Sequence, residues 1–270
     1  MSVAVRGGGA TKVKPHEFPF FAYFYNEGKW FRSCGGALIS TKHVLSCRHC
    51  FDKYDSKNIE VGFGKTLPND DKGVVKRKVQ NIAFHPKLDF AILVLKAKVP
   101  LSEHVKTIRL PDIGSDYTGQ KATLAGPGFV EHEGRTQPWD LDPKTLLMKV
   151  TLKVGSSPGK SCPDKMHVCA TSLVKGKKPG EPDFEGGCDG DSGSPLFICS
   201  TPDNCTIIAV IIGPPPYAPL KPCTGDSYGP SVSALMPFIL DIAAQTWEEN
   251  YNNNNHHYNN SNGDYIYYDN

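Results

Sequence analysis

Short apolar runs, bounded by glycine, proline, asparagine or aspartate, recur along most of the chain. A first series comprises residues 18–25, 36–39, 59–63, 79–84 and 90–95, and a second series comprises residues 121–125, 146–154, 195–199, 207–212 and 231–234. Each run has the length of a strand and is rich in β-branched or aromatic residues, which predicts β-strands. Many short strands in two successive series predict an all-β protein of the barrel or sandwich type.

One stretch near the end of the chain has helical periodicity. Its apolar positions are Leu235, Phe238, Ile239, Ile242, Ala243 and Trp247. They form one face of an amphipathic helix over residues 235–248. Residues 249–270 are rich in Asn, Tyr and His and hold almost no aliphatic side chains, so we expect a disordered tail. We interpret its His256-His257 pair as part of a solvated tail rather than a metal site.

Length and composition limit the classes of protein. A chain of 270 residues suits a single domain with a sizeable core, and its net charge of +2 gives no argument for binding nucleic acid or an anionic membrane. No run of about 18 apolar residues occurs, so no membrane-spanning helix is expected. Nine cysteines favour an oxidising compartment, and their odd number predicts one free thiol or an intermolecular bond.

The beginning of the sequence conflicts with secretion. Residues 1–6 lack the apolar core of a secretory signal. We therefore interpret the chain as a mature or recombinant form from which a leader was removed or left out.

The segment with the most specific chemistry is Gly187-Cys188-Asp189-Gly190-Asp191-Ser192-Gly193-Ser194-Pro195. A serine hydroxyl attacks only beside a base, and it needs a place for the negative charge that develops. Glycines at 190 and 193 allow a tight turn that points peptide N–H groups at an oxyanion. A candidate base is His49, and a candidate carboxylate, Asp89, heads an apolar run. The order His, Asp, Ser differs from the orders in subtilisins and α/β-hydrolases.

These three ordered blocks resemble those of chymotrypsin-fold (trypsin-like) serine endopeptidases, and the resemblance extends from about Gly7 to about Trp247. Further matching pieces are residues 17–20, 33–39, 84–86 and 125–128. The resemblance implies two packed antiparallel six-stranded β-barrels followed by a C-terminal α-helix and the disordered tail. It divides the chain into an N-terminal activation segment, two barrels, the helix and the tail, at residues 1–15, 16–115, 116–234, 235–248 and 249–270.

The resemblance also implies roles for the candidate residues. Ser192 Oγ attacks a peptide carbonyl, while His49 accepts its proton and later delivers it to the leaving amine. Asp89 holds the imidazole and stabilises the imidazolium. The backbone N–H groups of Gly190 and Ser192 form the oxyanion hole.

The resemblance implies four disulfides: Cys34–Cys50, Cys162–Cys169, Cys188–Cys223 and Cys199–Cys205. The pair Cys199–Cys205 departs from the partner that the family usually has for the strand after the serine. Cys47 is left over, two residues before His49. We interpret it as a small buried hydrophobic residue, with a reactive regulatory thiol as the alternative.

Activation and specificity depart from the family pattern. Cleavage after Arg6 would place Gly7 at the new N-terminus, whose ammonium is expected to pair with Asp191; here glycines replace the usual apolar pair, so a flexible tail is an equally good interpretation. The resemblance places Gly186 at the floor of the primary pocket, Asp189 near its entrance and Gly213 in its wall. Without a carboxylate at the floor we expect apolar rather than Lys or Arg side chains to be preferred. Prolines at 214–216 remove N–H donors that would pair with an extended substrate.

Three functions remain open. The first is a secreted, zymogen-derived serine endopeptidase, favoured by the intact His49, Asp89 and Ser192. The second is a binding or regulatory protein on a protease scaffold with weak or no activity, favoured by the glycines after Arg6 and the prolines at 214–216. The third is a structural disulfide-rich extracellular module, which explains the cysteines but not the three ordered blocks.

The expected partners are protein or peptide substrates, protein inhibitors and an activating protease, and we expect a monomer without metal or cofactor. The basic cluster 76–78 offers no carboxylates at a loop where some relatives hold calcium. We interpret this cluster and residues 175–178 as solvated loops, with an exosite for an acidic partner as the alternative. Sequons at Asn204 and Asn259 predict glycosylation if the protein is secreted.

Overall fold

The computed structural model describes fifteen strands, one 3₁₀-helix and one α-helix. The described residues are 10–67, 70–127, 130–132, 135–137, 146–156, 160, 162–174, 186–188, 190–216 and 226–255. The 3₁₀-helix is Ser56–Asn58, and its first turn is capped by the Asp55 side chain, which accepts from the Lys57 N–H.

The first six core strands close into an antiparallel barrel in the order β2-β3-β4-β7-β6-β5. They are β2 (Phe21–Asn26), β3 (Lys29–Ser40), β4 (His43–Ser46), β5 (Ile59–Phe63), β6 (Val75–Phe84) and β7 (Ala91–Leu95). Every residue of β4 and of β7 is buried. Strands β4 and β7 are buried on both faces because one face points into the barrel and the other is covered by the rest of the protein.

The remaining strands form a second antiparallel sheet in the order β14-β13-β8-β11-β12-β15, with β1 paired to β11, and a separate hairpin of β9 and β10. The sheet consists of β1 (Thr11–Lys12), β8 (Lys121–Gly126), β11 (Met148–Val154), β12 (His167–Ser172), β13 (Pro195–Thr201), β14 (Asn204–Val210) and β15 (Ser227–Pro230). The hairpin strands are β9 (Val130–His132) and β10 (Arg135–Gln137). Isolated bridges from Ala209 to Ser231 and from Gly213 to Tyr228 bring the two outer edges of the sheet together.

Two hydrophobic clusters lie at the centres of these sheets. In β11 the buried residues alternate strictly with more exposed ones, and Val150 and Leu152 pack in the second cluster. The first cluster is larger because it continues from the first barrel into Phe197 of β13 and into the helix through Leu235 and Ile239. The first cluster therefore joins the first barrel, part of the second sheet and the helix, whereas the second cluster lies within the second sheet. The all-β architecture with a C-terminal helix is confirmed. Of the two six-stranded barrels expected, the first is closed and has six strands, whereas the second is a seven-stranded half-barrel, which we call the second barrel.

The helix α1 (Val232–Asn255) is longer than the sequence pattern predicts. It begins three residues before Leu235 and continues past residue 248 into the stretch expected to be disordered. Residues 256–270, with the His256-His257 pair, lie outside the described residues. None of the helical segments described is both long and apolar enough to cross a membrane.

A buried histidine joins the helix to the first barrel. His43 is 6% exposed, its Nδ1 lies 2.7 Å from Ser40 Oγ and its Nε2 lies 2.8 Å from Thr246 Oγ1. The Thr246 hydroxyl donates its proton to the Ile242 carbonyl, so His43 Nε2–H is the donor and Nδ1 accepts from Ser40. This network fits a neutral ring, and burial, aided by Lys42, lowers the pKa of His43.

We expect acid to destabilise the wild-type protein more than the variant His43→Gln. The pKa of His43 is 6.5 in the unfolded chain and lower in the folded protein, so below that value the unfolded chain binds the proton more readily. The stabilisation is complete above about pH 6.5 and is lost as the pH falls towards the folded-state pKa. Glutamine supplies a donor and an acceptor but does not titrate. Urea unfolding at about pH 8 and about pH 5 measures the difference.

His16 and His85 also have pKa values lowered by burial, so the variant should keep part of the acid sensitivity. Equal losses of unfolding free energy in the two proteins between the two pH values would show that His43 does not stay neutral in the fold.

Candidate active site

The candidate base and carboxylate meet because they extend two paired strands at the same rim of the first barrel. His49 follows the end of β4 at Ser46, and Asp89 precedes the start of β7 at Ala91. Ser46 and Ala91 are directly opposite one another in the antiparallel register. The chain leaving β4 and the chain entering β7 therefore lie side by side, although the two side chains are 40 residues apart in sequence.

The two side chains form a close, two-point contact. His49 Nδ1 lies 2.5 Å from Asp89 Oδ2, and the His49 backbone N–H donates to Asp89 Oδ1 at 2.9 Å. Burial raises the pKa of Asp89, but hydrogen bonds from the side chain and backbone of His49 outweigh it and leave the pKa below its ordinary value. With an ionised carboxylate on Nδ1–H, the neutral imidazole keeps its lone pair on Nε2, as a general base requires.

The candidate nucleophile lies on a loop of the second barrel that is seated on the first. Its neighbours Gly190 and Gly193 have φ values of +90° and +76°, which a glycine adopts without strain. The Gly35 N–H of β3 donates to the Ser192 carbonyl at 2.8 Å, and the Gly193 N–H donates to the Ile211 carbonyl at 2.7 Å. Ser192 is thus held by backbone groups of both barrels and stays partly exposed between buried neighbours.

The Ser192 loop packs against the chain that carries the candidate base. A methyl group at Gly193 would lie 2.2 Å from Ser46 Oγ, 2.3 Å from the Gly35 carbonyl oxygen and 3.3 Å from the Cys47 nitrogen. Ser46 is fully buried and donates to that same carbonyl at 2.8 Å. Sequence reasoning assigned no role to Gly35 or Ser46, although both lie in or beside segments that carry the resemblance.

A family model described as Trypsin matches residues 8–219. The chain belongs to the trypsin family. The fibrinolytic enzyme isozyme C of Lumbricus rubellus is 28% identical over 205 residues, which cover 70% of this chain and 80% of that protein. Chymotrypsin-like elastase family member 1 of Canis lupus familiaris is 27% identical over 214 residues, 75% of this chain and 79% of the relative.

One further relative is matched over only about half of its length, and one solved structure shows a similar fold. The venom serine protease Bi-VSP of Bombus ignitus is 32% identical over 183 residues, which are 61% of this chain but 48% of that longer protein. A solved structure titled human heparin binding protein superposes with a TM-score of 0.65 at 24% identity, covering 86% of this chain and 94% of the other. At that identity the likeness shows the fold alone.

Asp191, the carboxylate expected to pair with a new N-terminus, is buried beside Ser192. Asp191 is 1% exposed, and its Oδ2 accepts from the Cys188 N–H at 2.9 Å. A methyl group at Gly126 would lie 2.1 Å from Asp191 Oδ1, so the carboxylate requires glycine in the neighbouring strand. Arg6 and Gly7, the expected processing site, lie outside the described residues.

The residues expected to form the specificity pocket are brought together in part. Gly213 pairs with Tyr228 of β15, and the Gly187 N–H, next to Gly186, donates to Ser227 Oγ at 2.9 Å. Asp189 lies outside the described residues. Sequence reasoning missed Asp226, which adjoins Ser227 and is 1% exposed. No local pattern of apolar and polar positions signals its burial.

Three of the four expected disulfides are present: Cys34–Cys50, Cys162–Cys169 and Cys199–Cys205. Cys188 is disulfide-bonded, and its expected partner Cys223 lies outside the described residues.

Cys47 is a free cysteine with no exposed surface. Its Sγ lies 2.7 Å from Cys50 Sγ and 3.7 Å from His49 Nε2. Burial, followed by the negative charge of Asp89, raises the pKa of the Cys47 thiol. The thiol is therefore protonated at neutral pH, and in the resting protein it packs as a small apolar group.

The basic cluster 76–78, expected in a solvated loop, lies instead in strand β6. Lys76 Nζ donates to Asp71 Oδ2 at 2.6 Å, and the buried Lys65 ammonium pairs with Asp71 Oδ1. Burial raises the pKa of Asp71, but hydrogen bonds from these lysines and from Tyr25 outweigh it and lower the pKa to about 2. Residues 175–178, the second cluster, fall within a stretch outside the described residues.

The variant Gly193→Ala should be destabilised more than Gly28→Ala. Both glycines have positive φ, +76° and +77°, so alanine costs about 1–2 kcal/mol at either position. A methyl group at Gly193 also collides with Ser46 and Gly35, whereas at Gly28 nothing lies within 4 Å. The overpacking adds about 1–3 kcal/mol. Thermal unfolding of the two variants measures the difference, and similar losses in both would contradict the close seating of the Ser192 loop.

Proposed function

We propose that this trypsin-family protein is a secreted serine endopeptidase that cleaves peptide bonds through Ser192, His49 and Asp89 by way of an acyl-enzyme. The observation that carries the proposal is the two-point contact of Asp89 with His49, at 2.5 Å to Nδ1 and 2.9 Å to the backbone N–H. That contact holds the imidazole in the tautomer whose Nε2 can accept a proton.

In the proposed first step, His49 Nε2 takes the Ser192 hydroxyl proton while Oγ forms a bond to the substrate carbonyl carbon. The lowered pKa of Asp89 keeps its carboxylate ionised beside the imidazolium that results. His49 then gives the proton to the leaving amine, and water hydrolyses the acyl-enzyme by the same route. The side chain of His49 is 42% exposed, so it is accessible to a substrate.

The oxyanion of the tetrahedral intermediate would be held by the N–H groups of Gly190 and Ser192. Within the part of the chain that the structure describes, neither N–H has a protein acceptor, whereas the Asp191 N–H between them donates to the Cys188 carbonyl. An N–H that faces an open cleft can donate to a developing negative charge, and one such donor contributes about 3 kcal/mol to catalysis.

Secretion is part of the same proposal. The three disulfides among the described residues, with the further disulfide-bonded Cys188, are typical of proteins that fold in an oxidising compartment. The sequon asparagine Asn204 begins strand β14, where its neighbour Cys205 is disulfide-bonded. Activation by cleavage after Arg6, with the new terminus pairing to the buried Asp191, remains a hypothesis of this proposal.

A second candidate function is that of a binding or regulatory protein built on the protease scaffold. It is favoured by the prolines at 214–216, which follow Gly213 where an extended substrate would pair with backbone N–H groups. Because the Gly213 carbonyl already accepts from Tyr228, this segment has little freedom to move away from the cleft.

A fluorophosphonate probe should label wild-type protein at Ser192, either directly or after cleavage at Arg6. Labelling should be abolished in Ser192→Ala and reduced by several orders of magnitude in His49→Ala, and Asp89→Asn should slow it by about 10⁴-fold because the imidazole tautomer is lost. His104→Ala, a change in an exposed histidine outside the site, is the matched control. Mass spectrometry identifies the modified residue. If neither form of the wild type is labelled, the second candidate function is favoured.

Cleavage of a peptide library should occur after apolar residues in preference to Lys or Arg. Gly186 supplies no carboxylate, and filling an uncharged pocket favours an apolar side chain by roughly 1.5–3 kcal/mol. The variant Asp226→Asn tests whether the buried carboxylate of Asp226, next to Ser227, contributes a charge to the pocket. A preference for Lys or Arg in the wild type, lost in Asp226→Asn, would contradict the apolar pocket and assign its charge to Asp226.

A further inference from the structure

Three potential metal ligands lie together beside the candidate base. Cys47, His49 and Asp89 each offer a ligand atom, and these atoms all lie within 4.8 Å of one another. Sulfur of cysteine and nitrogen of histidine are ligands that Zn²⁺ prefers. The neighbouring sulfurs of Cys34 and Cys50 are joined in a disulfide, so Cys47 supplies the one available thiol of this sulfur cluster.

The spacing of sulfur and nitrogen fits a bridging ion. Zinc–sulfur and zinc–nitrogen bonds of about 2.3 Å and about 2.0 Å, at a tetrahedral angle, hold the two ligand atoms roughly 3.5 Å apart. Cys47 Sγ and His49 Nε2 are 3.7 Å apart. A zinc ion can therefore join them after a shift of a few tenths of an ångström.

Asp89 supports such an ion without touching it. Zinc-bound histidines usually donate their second ring N–H to a carboxylate, which fixes the ring and makes the bound nitrogen a better ligand. Asp89 already holds His49 Nδ1 at 2.5 Å and the His49 backbone at 2.9 Å. The arrangement that prepares Nε2 as a base also prepares it as a metal ligand.

We propose that Cys47 Sγ and His49 Nε2 form an inhibitory site for Zn²⁺, with water completing the coordination. The thiol proton leaves to solvent, and the thiolate and the Nε2 lone pair each donate an electron pair to the ion, with no change of oxidation state. While the ion is bound, Nε2 cannot accept the Ser192 proton. Binding stands on the geometry alone, whereas inhibition rests on the proposed function.

Access and ligand type define the selectivity of the site. The His49 side chain is 42% exposed and Cys47 is fully buried beneath it, so the ion approaches over the imidazole. Mg²⁺ and Ca²⁺ prefer oxygen ligands and are not expected to bind. Because the thiol must lose its proton, binding should strengthen as the pH rises.

The first test compares peptidase activity with and without added Zn²⁺ in the wild type, Cys47→Ala and Cys47→Ser. Each protein is compared with its own rate in a chelator. The wild type should be inhibited, and the zinc concentration for half-inhibition should rise at least tenfold in both variants, since loss of an outer partner alone weakens metal sites by about 10–100-fold. Mg²⁺ is the control ion. Equal zinc sensitivity in all three proteins would overturn the proposal.

The second test measures binding without relying on activity. Co²⁺, which replaces Zn²⁺ in tetrahedral sites, should give a sulfur-to-cobalt charge-transfer band with Ser192→Ala protein. The band should be absent when Cys47→Ser is added to that variant. Serine preserves the size of the side chain, and thermal unfolding checks that both proteins are folded. A missing band in Ser192→Ala contradicts the metal site even if the wild type is active. If the band is present but the wild type shows no peptidase activity, the metal site stands and only the proposed function is contradicted.

Discussion

The candidate site depends on how a loop of the second barrel is seated on the first. The Gly35 N–H donates to the Ser192 carbonyl, and the Gly35 carbonyl accepts from the buried hydroxyl of Ser46. Leaving such a buried donor or acceptor unpaired costs about 1–3 kcal/mol, so the docking is strongly specified. Ser46 also ends the strand from which His49 emerges. One short piece of the first barrel therefore positions both the Ser192 loop and the candidate base.

Close approach, rather than flexibility, explains the glycines at this junction. A methyl group at Gly35 would lie 2.5 Å from a Phe21 ring carbon and from Ser194 Oγ, and Gly193 admits no methyl group for the same reason. The two barrels thus approach so closely that neither glycine leaves room for a methyl group. A contact of this kind transmits the rigidity of both barrels to Ser192, which suits a site whose parts must meet within fractions of an ångström.

The features that could be predicted from the sequence are those that depend on short segments of the chain. The apolar runs predict the strands, and the positions of His49 and Asp89 beside two of them make their meeting understandable. Which strands pair is a non-local property that the runs do not reveal, and the family resemblance implied only two six-stranded barrels. The bond between His43 and Thr246 joins residues 203 apart, and no pattern of apolar and polar positions signals it. The end of the helix was predicted wrongly for a different reason. The apolar face of the helix stops at Trp247, whereas the helical backbone continues to Asn255.

The chemistry of the pocket shows why a single aligned position is a weak guide to specificity. Gly186 supplies no carboxylate at the expected floor, yet Asp226, which is 1% exposed, directly precedes Ser227, whose hydroxyl accepts from the Gly187 N–H. A buried carboxylate is costly unless it is paired or hydrogen-bonded, and Asp226 does take part in interactions within the chain. In the pocket proposed above, a carboxylate that is already engaged within the chain would gain less from a basic side chain than an open carboxylate would. An apolar side chain would meet no such competition, and this is the physical basis of the proposed apolar preference.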